Sequence, residues 1–174
     1  MPSSFFVSCP DTVQAPADGE QVREDFRLAM RRMAAAVAIV TCRKGDEWLG
    51  ITATSMTSLS MDPPSLLICV NRSASIRAAL EPDAAFTANL LERRHKPVSD
   101  AFGGRAMGKE RFSFGHWGTC ERGVPMLRDA IAAIQCKVDR EVEYGTHTIV
   151  IGRVLNTCLS DEMNPLVYVN GNYQ

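Results

Sequence analysis

A dominant charge of either sign is missing from this chain: 19 Lys and Arg stand against 20 Asp and Glu in 174 residues, a formal net charge of -1. Nucleic acid and anionic membranes are held by broad positive fields, so neither partner is expected. Long apolar runs are missing too. The longest, around Ala34 to Val40 and Ser65 to Val70, fall well short of the roughly 20 residues that cross a bilayer as a helix. Met1 to Glu20 lacks a basic opening and has only Phe5-Phe6-Val7 as an apolar stretch, so no secretory signal is read and a cytoplasmic protein is expected. Closely spaced cysteine pairs are absent from Cys9, Cys42, Cys69, Cys120, Cys136 and Cys158, and His95, His116 and His147 lie far apart without close ligand partners. One loop must usually deliver two ligands to a tetrahedral ion, so no metal site is expected.

The common catalytic signatures are lacking as well. No GxGxxG follows a strand-like stretch, and neither HExxH nor GxSxG occurs. Gly103, Gly108 and Lys109 match the first part of a phosphate-binding loop, but Glu110 stands where a hydroxyl should meet magnesium, and a helical stretch precedes it rather than a buried strand. That match reads as a coincidence in a glycine-rich loop.

What remains is one globular domain's worth of sequence, 45% hydrophobic and 22% charged. Residues 1–20, with Pro2, Pro10, Pro16 and Gly19, read as a flexible tail, and residues 21–174 as the domain. Val22, Phe26, Met30, Met33 and Val37 recur at helical spacing. Val37 to Cys42 and Trp48 to Thr54 then read as a hairpin about Lys44-Gly45-Asp46-Glu47. Further strands are expected at 65–70, 85–91, 134–142, 148–154 and 165–169, with short helices at 73–80 and 96–102, the second broken by Gly103-Gly104. Strict alternation puts Ile134, Cys136, Val138 and Val142 on one face, and Gln135, Lys137, Asp139 and Glu141 on the other. The run Thr148 to Val154 is apolar on both faces and reads as a central strand. Six or seven strands joined mostly by turns imply a mainly β, largely antiparallel, barrel-like fold with peripheral helices.

One stretch stands out chemically. Between Gly50 and Ser60 six of eleven side chains are hydroxyls: Thr52, Thr54, Ser55, Thr57, Ser58 and Ser60. A solvated strand edge has this composition. So does a ligand wall, where small side chains let a planar group reach backbone N–H and C=O groups.

From Gly50 to Ser75 the sequence Gly-Ile-Thr-Ala-Thr-Ser-Met-Thr-Ser-Leu-Ser-Met-Asp-Pro-Pro-Ser-Leu-Leu-Ile-Cys-Val-Asn-Arg-Ser-Ala-Ser resembles the flavin reductase-like family. The ordered matches Phe26 to Met30, Phe86 to Leu91, Phe102-Gly103-Gly104, Glu110-Arg111-Phe112, Gly145 to Thr148 and Pro165 to Tyr168 extend the resemblance from about Asp25 to Tyr173. It implies an FMN-binding split β-barrel of Greek-key type, usually a homodimer. The implied activity is NAD(P)H-dependent reduction of FMN or FAD that supplies reduced flavin to a partner monooxygenase, here an aromatic-compound hydroxylase. Rival readings are an FMN-bound oxidoreductase with another acceptor, and a flavin- or heme-binding module without turnover. Carried over by motif, Thr52, Ala53, Thr54 and Ser55, followed by Ser58 and Ser60, resemble the isoalloxazine site. Asn71, Arg72, Ser73 and Ser75 resemble the phosphate end, Ala88, Asn89 and Leu90 the strand whose backbone meets the ring, and Phe112 an aromatic residue beside the ligand. His147 resembles the histidine lining the nicotinamide pocket; Gly145-Thr146-His147 replaces the commoner Gly-Asp-His. FMN and FAD are not separated by any motif at the adenylate end, and NADH is favoured over NADPH only by the lack of a basic cluster beyond Arg93, Arg94 and Lys96.

Overall fold

The computed structural model describes residues 18–161 and 163–174, so Met1 to Ala17 of the expected tail lie outside the described residues. The chain divides into two units at Met33. In the first, α1 (Gly19–Met30) begins three residues before the apolar periodicity does. Asp18 caps it, its Oδ1 accepting from the N–H groups of Glu20 (3.1 Å) and Gln21 (2.8 Å). That satisfies two of the donors a helix start leaves free.

The second unit opens with β1 (Ala35–Ala36), β2 (Ala38–Lys44) and β3 (Glu47–Ala53). β2 and β3 form the expected hairpin, with Gly45 at φ 59° in a turn that favours glycine. β4 (Met56–Met61) and β5 (Pro64–Asn71) make a second hairpin around a cis Asp62–Pro63 peptide. β4 falls where the sequence showed only hydroxyl enrichment. Then come β6 (Ala85–Leu90), α2 (Lys96–Asp100), β7 (Trp117–Thr119), β8 (Pro125–Leu127), the long pair β9 (Ala132–Tyr144) and β10 (His147–Leu159), β11 (Val167–Val169) and β12 (Asn172–Tyr173).

Seven strands make one wholly antiparallel sheet in the order β3-β2-β6-β9-β10-β5-β4. Flat, its edges would stand roughly 29 Å apart at the usual strand spacing. Yet Ile51 and Ala53 of one edge share a single core with Met56 of the other and with Leu66 and Ile68 of β5 beside it. The sheet therefore coils around its own interior, and the fold is the expected split β-barrel. A second core, with Val37, Ile39, Leu91, Val98, Phe102 and Leu127, lies on the outer face of β2. This is why β2 is buried on both faces and its sequence is apolar without alternation.

Two expectations need correction. The alternation of β9 does not persist to Val142. Gly152 pairs with Val138 and Ile151 with Arg140, so Asp139 is an extra residue in the ladder. Such a bulge swaps the faces beyond it: Val142 is exposed, and Glu141 turns to the guanidinium of Arg77 (2.8 Å). Residues 73–80 form no α-helix, only a 3-10 turn at Arg77–Ala79. The Asn71 carboxamide oxygen accepts from both the N–H (2.9 Å) and the hydroxyl (2.8 Å) of Ser73. A side chain in that role favours a turn over helix initiation. α2, by contrast, runs on through Ala101 and Phe102 and breaks at the expected glycine pair: Gly104 has a non-helical φ of 118°, and Ala106 N–H closes back on Ala101 O (3.3 Å).

Candidate functional site

The free edge of β3 lines a cleft with two lobes. Because β3 pairs only with β2, every second residue turns its backbone N–H and C=O outward. The carbonyl of Gly50 is one such group, accepting from Arg111 Nη1 (3.0 Å). Thr52, two residues on, shares its orientation.

The larger lobe, about 500 Å³, lies between Trp48 to Ile51, Ser73 to Ser75 and the segment from Phe102 to Phe112. Four aromatic rings stiffen that side. Phe112 is the hub, with centroids 5.3 Å from Trp48, 5.0 Å from Phe102 and 5.1 Å from Trp117, all near edge-to-face. The Phe102 ring is packed so closely on the strand that a Cβ at position 50 would come within 2.5 Å of it, so only glycine fits there. Gly103 and Gly104 then bring bare backbone to the cleft wall.

The smaller lobe, about 330 Å³, is bounded by Thr52, Ala53, Thr54, Ser55, Cys69, Asn71 and His147. It joins the larger at Ile51, Ala74, Phe102 and Gly103. Its corner is pinned by two bonds between Ser55 and Cys69: the Ser55 hydroxyl donates to the Cys69 carbonyl (2.9 Å), and Cys69 N–H donates to the Ser55 carbonyl (3.0 Å). The Thr52 hydroxyl is committed to the Ser99 carbonyl (2.7 Å), bracing β3 against α2. His147 opens β10 directly opposite Asn71, and its Nδ1 lies 2.9 Å from the Thr146 hydroxyl, which fixes the ring at the lobe's rim.

The fold thus gathers Thr52, Ala53, Thr54, Ser55, Asn71 and His147 in one lobe, and Ser73, Ser75 and Phe112 in the other. The remaining sequence candidates lie elsewhere. Arg72 borders neither lobe and faces Glu143 at 3.8 Å. Ala88 and Asn89 are fully buried inside the sheet, where the Asn89 carboxamide bonds the Ile39 carbonyl and the Leu127 N–H, both at 2.9 Å. Ser58, Ser60 and Leu90 line a separate, mainly apolar groove with Met56, Met61, Pro64, Leu66, Ile134 and Val154. Apart from Phe112, the sequence candidates include nothing from the segment between Phe102 and Phe112, yet it forms a whole wall of the larger lobe. The signals available for it were the paired glycines and two short motifs, Phe-Gly-Gly and Glu-Arg-Phe, that also carry the family resemblance.

The cleft suits a nucleotide-bearing aromatic ligand: aromatic walls, exposed main chain, a fixed guanidinium, and a combined size within the usual range for ligand sites. Among the described residues no helix is long and apolar enough to cross a membrane. A family model described as flavin reductase like domain matches residues 30–174. The reductase component of the FADH(2)-dependent resorcinol hydroxylase of Rhizobium sp. (strain MTP-10005) is 40% identical over 156 residues, spanning 88% of this chain and 87% of that protein. The FMN reductase (NADH) RutF of Agrobacterium fabrum is 37% identical over 155 residues, 89% of each chain. Among solved structures, the NADH:FAD oxidoreductase SgcE6 of Streptomyces globisporus C-1027, in complex with NAD and FAD fragments, superposes with a TM-score of 0.81 at 27% identity, over 92% of this chain and 96% of that one.

Proposed function

This chain belongs to the flavin reductase like domain family, and on that premise we propose that the cleft along β3 is where it works as an NAD(P)H:flavin oxidoreductase. It reduces FMN or FAD and passes the reduced flavin to a partner monooxygenase. The observation that carries this reading is the cleft itself, in which outward main chain, edge-packed aromatic rings and a histidine surround one space of nucleotide size. Flavin supplies the redox chemistry, taking hydride from the reduced nicotinamide. The protein binds, orients and excludes water.

Thr52 and Thr54 offer main-chain groups to the hydrogen-bonding edge of the flavin ring. Ala53 and Ser55 keep that wall low enough for a flat ring to approach. Phe102 and Phe112 exclude water from the larger lobe. His147 orients the nicotinamide at the rim by stacking or a hydrogen bond and need not exchange a proton. No nucleophile, metal or carboxylate pair is required of the chain, because the hydride moves between two ligands. The partner is an aromatic-compound hydroxylase, by likeness to the resorcinol hydroxylase reductase component.

A homodimer belongs to the same reading. The apolar groove beside β4, lined by Met56, Leu66, Ile134, Val154 and the exposed Met61, is the surface a second copy would cover. Light scattering on the purified protein should give twice the 19.1 kDa chain mass; a monomer at micromolar concentration refutes this part alone. The activity is tested by following NADH oxidation with FMN, with FAD and without added flavin. Free flavin should drive turnover. NADH consumption through a tightly retained flavin and another acceptor, or none under any condition, would overturn the proposal.

A further inference from the structure

Arg111 is held in an unusual way for a guanidinium at a protein surface. Its Nε donates to the Ala106 carbonyl (2.9 Å) and its Nη1 to the Gly50 carbonyl (3.0 Å), so the side chain bridges the 101–113 segment and the β3 edge. Both acceptors are neutral. Four other arginines of the second unit face carboxylates: Arg72 meets Glu143, Arg77 meets Glu141, Arg94 meets Glu92 and Asp129, and Arg105 meets Asp100. The arginines without an ion pair among the described residues, Arg43, Arg93, Arg122, Arg128, Arg140 and Arg153, are exposed to water. Arg111 is half-buried and forms no ion pair among the described residues, although Glu47 lines the same lobe. A cation that two carbonyls aim into a cleft, with its charge left unmatched, is arranged for an anion from outside. After the two carbonyl bonds, Nη2 and one proton of Nη1 remain, a fork suited to two oxygens of one phosphate. Ser73 and Ser75 border the same lobe and add small polar groups.

We propose that Arg111, and not Arg72, is the phosphate-binding cation of this cleft, and that it makes the enzyme selective for ligands carrying a phosphate ester. This deepens the flavin reductase reading and rests on it. The shared chemistry is a phosphate group; its source is either the ribityl 5′-phosphate of the flavin or the pyrophosphate of the dinucleotide. The Gly50 bond adds a consequence, since the cation that meets the ligand also ties the aromatic wall to β3.

The test measures binding of FMN and of phosphate-free riboflavin by fluorescence quenching in wild type, Arg111→Gln and Arg111→Lys, with urea midpoints recorded for each. NADH is then compared with 1-benzyl-1,4-dihydronicotinamide, which carries no phosphate. Arg111→Gln removes a charge-assisted hydrogen bond and should weaken FMN binding by about tenfold or more, while riboflavin changes less than twofold. The ratio of FMN to riboflavin affinity should fall in the order wild type, lysine, glutamine. If the dinucleotide is the source, the effect appears in the KM for NADH and not with the benzyl analogue. Equal weakening of phosphate-bearing and phosphate-free ligands would overturn the assignment and leave Arg111 a positioning residue for the wall. So would no change in either pair. Should wild type bind FMN well above riboflavin yet never oxidise NADH, the reductase reading fails while the phosphate site stands.

Discussion

Asn89 separates a binding role from a structural one, because the two roles predict opposite readouts. Its side chain is completely buried, with Oδ1 accepting from Leu127 N–H and Nδ2 donating to the Ile39 carbonyl, each at 2.9 Å. Replacing it with alanine strands the Leu127 N–H in a site where Leu127 is itself only 1% exposed. An orphaned buried donor costs about 1–3 kcal/mol, and the missing bond to Ile39 about 1 more. Together these make Asn89→Ala destabilising by about 2–4 kcal/mol before the small cavity it leaves is counted, a large share of the roughly 5–15 kcal/mol that holds a domain together. At a typical urea m-value this lowers the midpoint by roughly 1–2 M, read by far-UV circular dichroism. FMN affinity of the folded variant should stay within twofold of wild type, because the side chain does not reach the cleft. Asn89→Asp keeps the acceptor for Leu127 but sets a second oxygen against the Ile39 carbonyl, so it should be at least as damaging. An unchanged midpoint together with lost flavin binding would refute the reasoning and return Asn89 to the ligand.

The other expectations concern the rim, the thiols and acid stability. His147→Ala should raise the KM for NADH more than it weakens flavin binding, since the ring stands at the lobe's rim; equal loss of both in steady-state kinetics and flavin titration would count against its orienting role. Burial pushes the Cys42 and Cys136 thiols up to about 12, so both should resist iodoacetamide at pH 8 while exposed Cys158 reacts, as peptide mass mapping would reveal. Labelling of Cys42 before Cys158 would contradict the core packing. Burial alone would raise the carboxyl of Asp129, but the hydrogen bond from His95 Nε2 (3.1 Å) and the nearby Arg94 outweigh it and hold the group below its ordinary value. A depressed carboxyl stabilises the fold above the usual Asp range, and that contribution drains away as pH falls through the lowered value. Asp129→Asn should therefore be less stable than wild type near pH 7, and the gap should close toward pH 3 in thermal melts; a gap that widens in acid would reverse the sign of the argument.

Features that depend on neighbours along the chain were legible in the amino-acid order. The hairpin of β2 and β3 follows from two apolar runs separated by Gly45-Asp46, and the central place of β10 follows from a run apolar on both faces. That Thr52, Thr54, Ser55 and His147 border one lobe was also anticipated, through residue types carried over from the family pattern. Distant segments and small backbone irregularities settled the rest. An extra residue at Asp139 reverses which side chains of β9 face inward, and period-two reasoning contains no term for that. The hydroxyls of β4 face another groove from those of β3, because the corner at Thr54-Ser55 sends the chain to the far edge of the sheet. Arg111 and Gly50 stand 61 positions apart, and no local pattern ties them together. Their meeting needs the sheet to coil and the 101–113 segment to fold back across its open edge. Polar ends of long side chains find partners by proximity in space, so which arginine faces the cleft is settled only when the backbone has been laid down.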